Sequence, residues 1–236
     1  MLVTGFPSAV FGTNCYVVAP AVGEECLIVD PGIEVVDQLA DVLRLHRLRP
    51  AAVLLTHGHL DHTFSVTPVC GAHGVAAYVH PDDRERLVDP LAEFASSGLL
   101  AMLEQQFGRS ATWAEPDDVV EIGEQTGLEL AGLRVDVVHA PGHTAGSVMF
   151  ALPGVPDGTP AGEDVSSTLL SGDVLFAGSI GRTDLPGGDP VAMQRSLRER
   201  VLTQPDDALV LPGHGPATTI GRERAGNPFL RELQAS

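Results

Sequence analysis

The residues best suited to chemistry lie in the stretch T-H-G-H-L-D-H at positions 56–62, directly after the apolar run 53–55. This stretch holds four potential metal ligands, namely His57, His59, Asp61 and His62. Packing such titratable groups closely costs desolvation and mutual repulsion, and a divalent cation is the usual compensation. An extended loop can aim His57 and His59 to one side, whereas Asp61 and His62 fall in the following turn. The spacing therefore predicts two adjacent metal positions.

Three further residues could complete this site, and each follows a β-rich run within a Gly-rich turn. His143 lies in A-P-G-H-T, Asp173 in L-S-G-D and His214 in L-P-G-H-G. Glycine lets the backbone come close to a metal centre and tolerates the positive φ of a sharp turn. Because ligands of open α/β sheets bind at the carboxyl ends of strands, we expect these residues to converge with the first four.

The elements that position these residues can be read from local patterns. β-rich runs occur at residues 14–18, 26–29, 53–55, 75–79, 133–138, 147–151, 168–170 and 208–211. Helical patterns occur at residues 35–46 and 193–201, the second opened by Asp189 as N-cap and Pro190 at the first helical position. The alternation predicts a mixed α/β protein with helices outside the sheets. We also expect a helical segment at 89–108 and an exposed loop at 154–163.

Length and composition favour one globular domain over residues 1–236, since 44% of the chain is apolar and it contains 26 glycines and 18 prolines. No apolar stretch approaches the roughly 20 residues that cross a bilayer. Residues 1–10 lack the basic start and long apolar run of a signal peptide. We therefore expect a cytoplasmic protein without a membrane partner.

The charge of the chain opposes binding to nucleic acid. Its 14 basic residues are all arginine and face 31 acidic residues, so the net charge is −17, which repels phosphate backbones. The absence of lysine excludes Schiff-base chemistry. Cys15, Cys26 and Cys70 form no C-x-x-C pair, and we expect each to be a small buried apolar residue in a reducing compartment.

The H-x-H-x-D-H motif, followed by His, Asp and His in this order, resembles the metallo-β-lactamase superfamily over essentially the whole chain. This resemblance implies an αββα sandwich of two mixed β-sheets flanked by helices, with the metal site at one edge between the sheets. It implies a first metal on His57, His59 and His143, a second metal on Asp61, His62 and His214, and Asp173 as the bridge. The ions would be one or two zinc ions, with iron or manganese as alternatives. Asp61 and Asp173 would serve catalysis by holding the metals and the reacting water.

Two further segments resemble a subgroup of this superfamily. G-R-T-D-L-P-G-G-D at 181–189 and P-G-H-G-P…T-I-G-R-E-R…N-P-F at 212–229 are similar to short glyoxalase II-like proteins, also called hydroxyacylglutathione hydrolase-like. The resemblance implies hydrolysis of a small-molecule thioester such as S-lactoylglutathione. True β-lactamases commonly carry cysteine where Asp173 stands, which argues against antibiotic hydrolysis as the main activity.

The chain departs from full-length glyoxalase II enzymes, which end in a helical domain that holds glutathione through basic and tyrosine side chains. Little of this chain follows His214, and it has no lysine. Arg182, Arg222 and Arg224 could hold a substrate carboxylate, or they could form surface ion pairs. The sequence specifies neither the acyl and thiol parts of the substrate nor the oligomeric state.

Another reaction class uses the same fold. The G-R-T-D segment also resembles persulfide dioxygenases, in which one iron would use His57, His143 and Asp173, a 2-His-1-carboxylate set. A metal-binding protein without catalysis is disfavoured, because structural zinc sites are closed by four protein ligands. No ligand role is predicted for the isolated histidines, which are His46, His73, His80 and His139. Asp30 is either a partner of a ligating imidazole or a turn residue.

Overall fold

Two six-stranded mixed β-sheets form the centre of the computed structural model, which describes residues 1–90, 105, 113–159 and 165–235. Most of the helical segment predicted at 89–108 lies outside the described residues, as do residues 160–163 of the loop predicted at 154–163.

The first sheet is antiparallel at one edge and parallel at the other. Its strands, in spatial order, are β1 (Leu2–Pro7), β2 (Asn14–Ala19), β3 (Glu25–Val29), β4 (Arg49–Leu54), β5 (Ala77–Val79) and β6 (Val119–Glu121). The pairs β1–β2 and β2–β3 are antiparallel, whereas β3 to β6 run parallel.

The second sheet is mostly antiparallel. Its spatial order is β14 (Thr218–Thr219), β13 (Ala208–Pro212), β10 (Ser167–Gly172), β9 (Val148–Leu152), β8 (Leu133–His139) and β7 (Gln125–Leu130). Only β10 and β13 pair in parallel within this sheet. A small hairpin of β11 (Leu175–Phe176) and β12 (Ser179–Ile180) follows β10.

Helices cover the outer faces of both sheets. Described α-helices are α1 (Val36–His46), α2 (Leu60–Thr63), α3 (Val66–His73), α4 (Pro190–Ser196), α5 (Ile220–Gly226) and α6 (Pro228–Ala235). A 3-10 helix spans Pro81–Leu87, and a π-helical turn at Leu197–Val201 continues α4. The predicted N-cap of α4 is confirmed, because the Asp189 carboxylate accepts hydrogen bonds from the Val191 and Ala192 N–H groups.

Three buried clusters show how the layers are stacked. Alternation along β2 directs Tyr16 and Val18 towards the second sheet, where they pack near Phe150, while Val17 faces α1 and α3. A third cluster packs the outer face of the second sheet on α4 to α6, around Met193. The order of layers is therefore helix, sheet, sheet, helix, and the predicted αββα sandwich is confirmed.

Several strands were not predicted. Strand β1 contains Gly5 and Pro7, which read as turn residues, yet a Cβ atom at Gly5 would lie 2.5 Å from the Tyr16 ring, so glycine makes room for that ring in the neighbouring strand. Strand β4 begins at Arg49 and not at residue 53, because its pairing with β3 extends to Glu25. These features depend on the neighbouring strand, which local patterns do not reveal.

The cysteines are buried and free, as expected. Burial raises the pKa of Cys26 and Cys70 to about 12, so both thiols are protonated at neutral pH. Among the described residues, no helix is long and apolar enough to span a bilayer.

Candidate metal centre

All seven predicted side chains meet in one place. His57 and His59 lie in the loop after β4, Asp61 and His62 on α2, and the other three follow the ends of β8, β10 and β13; these are His143, Asp173 and His214. Their ligand atoms fall into three overlapping groups in which all atoms lie within 4.8 Å of one another. The groups are His57, His59 and His143; His57, His62 and Asp173; and Asp61, His62 and His214.

The first group consists of three buried imidazoles. Nε2 of His57 lies 3.1 Å from Nδ1 of His59, which lies 2.8 Å from Nε2 of His143. The group of Asp61, His62 and His214, called the second group from here on, is more open and contains a carboxylate. Asp61 Oδ2 lies 3.5 Å from His62 Nε2 and 3.2 Å from His214 Nε2.

Asp173 lies between the two groups. Its Oδ2 atom is 3.5 Å from Nε2 of His143, and its Oδ1 atom is 3.4 Å from Nε2 of His62. Oδ1 is buried and has no hydrogen-bond partner. A buried carboxylate oxygen without a partner is costly, and a cation between the groups would satisfy it.

Hydrogen bonds outside the cluster fix the orientation of four imidazoles. Their Nδ1 atoms lie near oxygens: His57 at 3.1 Å from Thr56 Oγ1, His62 at 2.9 Å from Asp30 Oδ2, His143 at 2.7 Å from the Arg182 carbonyl and His214 at 3.2 Å from the Phe11 carbonyl. An Nδ1–H that donates outwards leaves the Nε2 lone pair facing the cluster, which is the usual arrangement of ligating histidines.

These contacts test whether the residues suit metal ions. In the first group, Nδ1 of His59 faces Nε2 of His57 at 3.1 Å and Nε2 of His143 at 2.8 Å, and one ring proton can serve only one of these two contacts. At least one pair of nitrogen lone pairs therefore faces each other, and a cation would relieve this repulsion. Imidazole nitrogens and carboxylate oxygens are ligands of zinc, iron and manganese. The donor set and the unpaired Asp173 oxygen therefore fit one or two divalent ions.

The charge states differ between the two groups. Burial lowers the pKa of His57 well below its usual range and that of His59 to about 3, with further lowering by neighbouring histidines. Burial also lowers the pKa of His62, but three carboxylates, first Asp61, outweigh it and raise the pKa well above its usual range. Without a metal ion, the first group is therefore neutral, whereas His62 carries a second proton among carboxylates, a proton that a cation bound at Nε2 would replace.

A buried carboxylate that the sequence analysis missed connects the two ligand loops. Asp83, on the 3-10 helix, accepts hydrogen bonds from the Gly58 N–H and the Thr144 hydroxyl at 2.8 and 2.7 Å, and from the Gly146 N–H at 2.9 Å. Gly58 lies between His57 and His59, and Thr144 follows His143. Asp83 thus fixes the relative position of the loops that carry the first group. No local signal in P-D-D-R-E-R indicates this contact.

Asp30 supports the second group, so the first of the two readings of this residue is confirmed. Its carboxylate lies 2.9 Å from His62 Nδ1 and accepts hydrogen bonds from the N–H and hydroxyl groups of Thr56 at 2.8 and 2.6 Å. Thr56 in turn contacts His57, so Asp30 is linked to both groups.

Glycine is required where the backbone passes the cluster. A Cβ atom at Gly213 would lie 2.2 Å from Asp173 Oδ1 and 2.8 Å from Cε1 of His62. Any side chain there would displace two of the seven residues, which explains the Gly in L-P-G-H-G.

A cavity of 480 Å³ opens onto the cluster. Its lining includes Phe11, Phe176, Ile180, Leu185 and Arg182 in addition to the exposed faces of five of the seven residues. Of the arginines considered from sequence, Arg182 borders this cavity, but its guanidinium forms two hydrogen bonds of 2.7 Å with Asp184. Arg224 instead pairs with Asp206 and two carbonyl oxygens.

A second histidine pair lies outside this cluster. The rings of His80 and His139 are stacked, with centroids 4.0 Å apart and planes inclined by 12°, and Asp82 is close by. Ring lone pairs lie in the ring plane, so stacked imidazoles direct them side by side and not towards one point. The ligand atoms of His80, Asp82 and His139 nevertheless lie within 4.8 Å of one another, so the absence of a ligand role for these two histidines stays a prediction.

The family model described as the metallo-beta-lactamase superfamily matches residues 9–157. Similar curated proteins include uncharacterized protein ML0493 of Mycobacterium leprae, 44% identical over 99% of this chain and 100% of that protein. The probable metallo-hydrolase YqgX of Bacillus subtilis is 35% identical over 88% of each chain. The hydroxyacylglutathione hydrolase GloC of Haemophilus influenzae is 33% identical over 95% of each chain.

Three solved structures are similar to this chain over nearly its whole length. The BLEG-1 B3 metallo-beta-lactamase has a TM-score of 0.77 and 35% identity, covering 97% of this chain and 99% of that chain. TTHA1623 in a di-iron-bound form has a TM-score of 0.71 and 36% identity, covering 96% and 100%. ETHE1 from Myxococcus xanthus has a TM-score of 0.72 with 20% identity, covering 99% and 90%, and this likeness concerns the fold alone.

Proposed function

Since this chain belongs to the metallo-β-lactamase superfamily, we propose that it is a metal-dependent hydrolase of small thioesters of the S-lactoylglutathione type. The observation that carries the proposal is the pairing of two ligand groups, His57, His59 and His143 on one side and Asp61, His62 and His214 on the other, with Asp173 between them.

In this proposal the chain holds one or two zinc ions, with iron or manganese as alternatives. When bound by these residues, such ions would lower the pKa of a water molecule towards neutrality and would polarise a substrate carbonyl. Asp173 is placed to bridge the two groups. Asp61 is held by a 2.8 Å hydrogen bond from the Thr13 hydroxyl, which keeps its carboxylate directed at His62 and His214.

The choice of a thioester is supported by the leaving group that the site can accept. Free thiols have a pKa near 8.5, so a thiolate departs near neutral pH without a dedicated protonated acid. Burial alone would raise the pKa values of Asp61 and Asp173, but the neighbouring histidines lower them in the metal-free site. Carboxylates that hold a cation would stay ionised, so neither would supply a proton to a poorer leaving group. The relationship to GloC supports the same substrate class.

Two alternatives compete with this proposal. A mononuclear iron persulfide dioxygenase would need His57, His143 and Asp173 but would leave the second group without a role. Hydrolysis of β-lactams is suggested by the likeness to BLEG-1, whereas the aspartate at position 173 argues against it as the main activity.

One preparation of the protein tests the proposal. We would purify it without added metal, determine the bound metals by elemental analysis, and measure S-lactoylglutathione hydrolysis beside oxygen uptake on glutathione persulfide. Hydrolysis with two ions per chain supports the proposal. A single iron with persulfide-dependent oxygen uptake contradicts it.

A further inference from the structure

The cavity over the candidate metal centre has an apolar wall, part of which lies beside His214 of the second group. This wall consists of Phe11, Leu60, Phe176, Ile180 and Leu185. Phe11 and Phe176 lie next to His214: the Phe11 carbonyl lies 3.2 Å from His214 Nδ1, and the Phe176 ring lies edge-on to the imidazole with centroids 6.0 Å apart. Aromatic surface therefore lies beside His214 at the cavity.

Phe11 is held at this position in an unfavourable backbone conformation. Its φ is +62° and its side chain is half exposed. Positive φ is uncommon for a bulky residue and costs free energy, and exposure of the ring adds no compensating burial. Such a conformation is commonly found at ligand sites, where the bound molecule covers the exposed surface.

Phe176 lies on a hairpin that is braced from behind. The buried carboxylate of Glu223 accepts hydrogen bonds from the Gly178 N–H at 2.7 Å and from Nδ2 of Asn227 at 2.9 Å. Asn227 also donates to the Ser179 carbonyl at 3.0 Å. The G-R-E-R and N-P-F motifs thus fix the turn that follows Phe176. The position of Phe176 in the wall is therefore held by hydrogen bonds from other elements of the fold.

The same cavity offers little to an anion. Among the described residues that line it, Arg182 carries the only guanidinium, and two hydrogen bonds already bind it to Asp184. The chain as a whole carries a net charge of −17. Glutathione has two carboxylates, and this lining provides no arrangement of cations that would recognise them.

We infer that the preferred substrate is a thioester with an uncharged, apolar group, aromatic or branched aliphatic, that packs against Phe11 and Phe176. This inference rests on the proposed function and narrows its substrate class. The glutathione portion of S-lactoylglutathione then contributes no binding free energy, and the aromatic wall selects the substrate.

Binding of thioethers, which cannot be hydrolysed, tests this inference without turnover. The probes are S-benzyl-N-acetylcysteamine, which is uncharged, and S-benzylglutathione. Calorimetry on the metal-containing protein measures the Kd of each probe. We expect the uncharged probe to bind at least as tightly as S-benzylglutathione. Phe176→Ala and Phe11→Ala should each raise the Kd of both probes about tenfold, because an aromatic contact is lost. Phe176→Leu should recover part of the affinity. Leu45→Ala, which removes an exposed apolar side chain on α1, is the control that should leave both Kd values unchanged.

The salt dependence of binding distinguishes recognition of an apolar group from recognition of the carboxylates of glutathione. Added salt should not weaken S-benzylglutathione binding, because screening reduces only the repulsion between the anionic chain and the anionic probe. Tighter binding of S-benzylglutathione than of the uncharged probe overturns the inference, whether or not it falls with salt, as do unchanged affinities in both alanine variants.

Turnover distinguishes this inference from the proposed function. Phenylacetyl and lactoyl thioesters of N-acetylcysteamine and of glutathione form the substrate panel. We expect Phe176→Ala to raise KM for the phenylacetyl thioesters about tenfold with kcat little changed. Expected probe binding without hydrolysis of any thioester contradicts the proposed function and supports the apolar site. Efficient hydrolysis confined to the glutathione thioesters overturns the inference alone.

Discussion

The carboxylate of Asp83 accepts a hydrogen bond of 2.8 Å from the backbone N–H of Gly58, the residue between His57 and His59. The same carboxylate oxygen accepts the hydroxyl proton of Thr144, directly after His143. One buried side chain therefore aligns the two loops that supply the first ligand group. Gly146 approaches the same residue so closely that a Cβ atom there would lie 2.7 Å from the Asp83 side chain.

Asp83→Asn should weaken metal binding without changing any proposed ligand. Oδ2 of Asp83 accepts from the Gly58 N–H and the Thr144 hydroxyl, and Oδ1 accepts from the Gly146 N–H, so an amide NH2 at either place leaves at least one of these donors facing another donor and strains the contact between the loops. We expect metal affinity, measured by chelator competition, to fall about tenfold or more. Excess zinc should restore activity, because the ligands themselves remain. Asp82→Asn, at a neighbouring exposed carboxylate, is the control, and equal metal affinity in both variants would contradict the role of Asp83.

Sequence patterns predicted the layers and the convergence of the seven side chains, because both follow from local signals. The strands that precede the seven side chains are short apolar runs, three of them followed by a Gly-containing turn, and histidine and aspartate in such turns are chemically distinctive. Asp83 and the bracing role of Glu223 were not predictable in the same way. Each acts on residues tens of positions away, through contacts that only the packed loops bring about.

The prediction for Asp30 illustrates the same limit. Its sequence context, V-D-P-G after a strand, is equally typical of a turn, and the residue does adopt a positive φ of 50°. Only the position of α2 brings His62 to within 2.9 Å of its carboxylate. Asp30 is therefore both a turn residue and the hydrogen-bond partner of His62.

Asp173→Asn should remove most activity and weaken binding of both metals. An amide bridges two cations far less well than a carboxylate, and Asp173 lies within 3.6 Å of imidazoles from both groups. Metal content after gel filtration and thioester turnover measure the effect. His46→Gln, at the end of α1, should stay fully active. Full metal content with normal turnover in Asp173→Asn would show that this residue does not bridge.

Hydrolysis of small thioesters should exceed hydrolysis of any β-lactam. The reason is the carboxylate at position 173 together with the 181–189 segment, whose Arg182 carbonyl lies 2.7 Å from His143 Nδ1. A panel of S-lactoylglutathione, neutral thioesters, penicillins, cephalosporins and carbapenems, compared by kcat/KM, measures the preference. If a β-lactam is the best substrate on this panel, the likeness to BLEG-1 extends to activity and the thioesterase proposal is wrong.

The number of metals decides between hydrolase and dioxygenase. Asp61, His62 and His214 have no ligand role around a single iron, yet their Nε2 and carboxylate atoms lie within 4.8 Å of one another. If the protein is a hydrolase, His62→Ala or His214→Ala should lower the metal content from about two ions per chain towards one. Thioester hydrolysis should fall by orders of magnitude, because the reacting water would lose one of its two cations.

A dioxygenase would respond differently to the same two substitutions. One iron would stay bound to His57, His143 and Asp173, and persulfide-dependent oxygen uptake would survive in substantial part. His73→Ala, on the remote helix α3, is the matched control for the loss of an imidazole. Metal content, thioester hydrolysis and oxygen uptake are measured on the same preparations. Retention of one iron with oxygen consumption in His62→Ala and His214→Ala would exclude the hydrolase, since its proposed mechanism requires the second group to hold a metal.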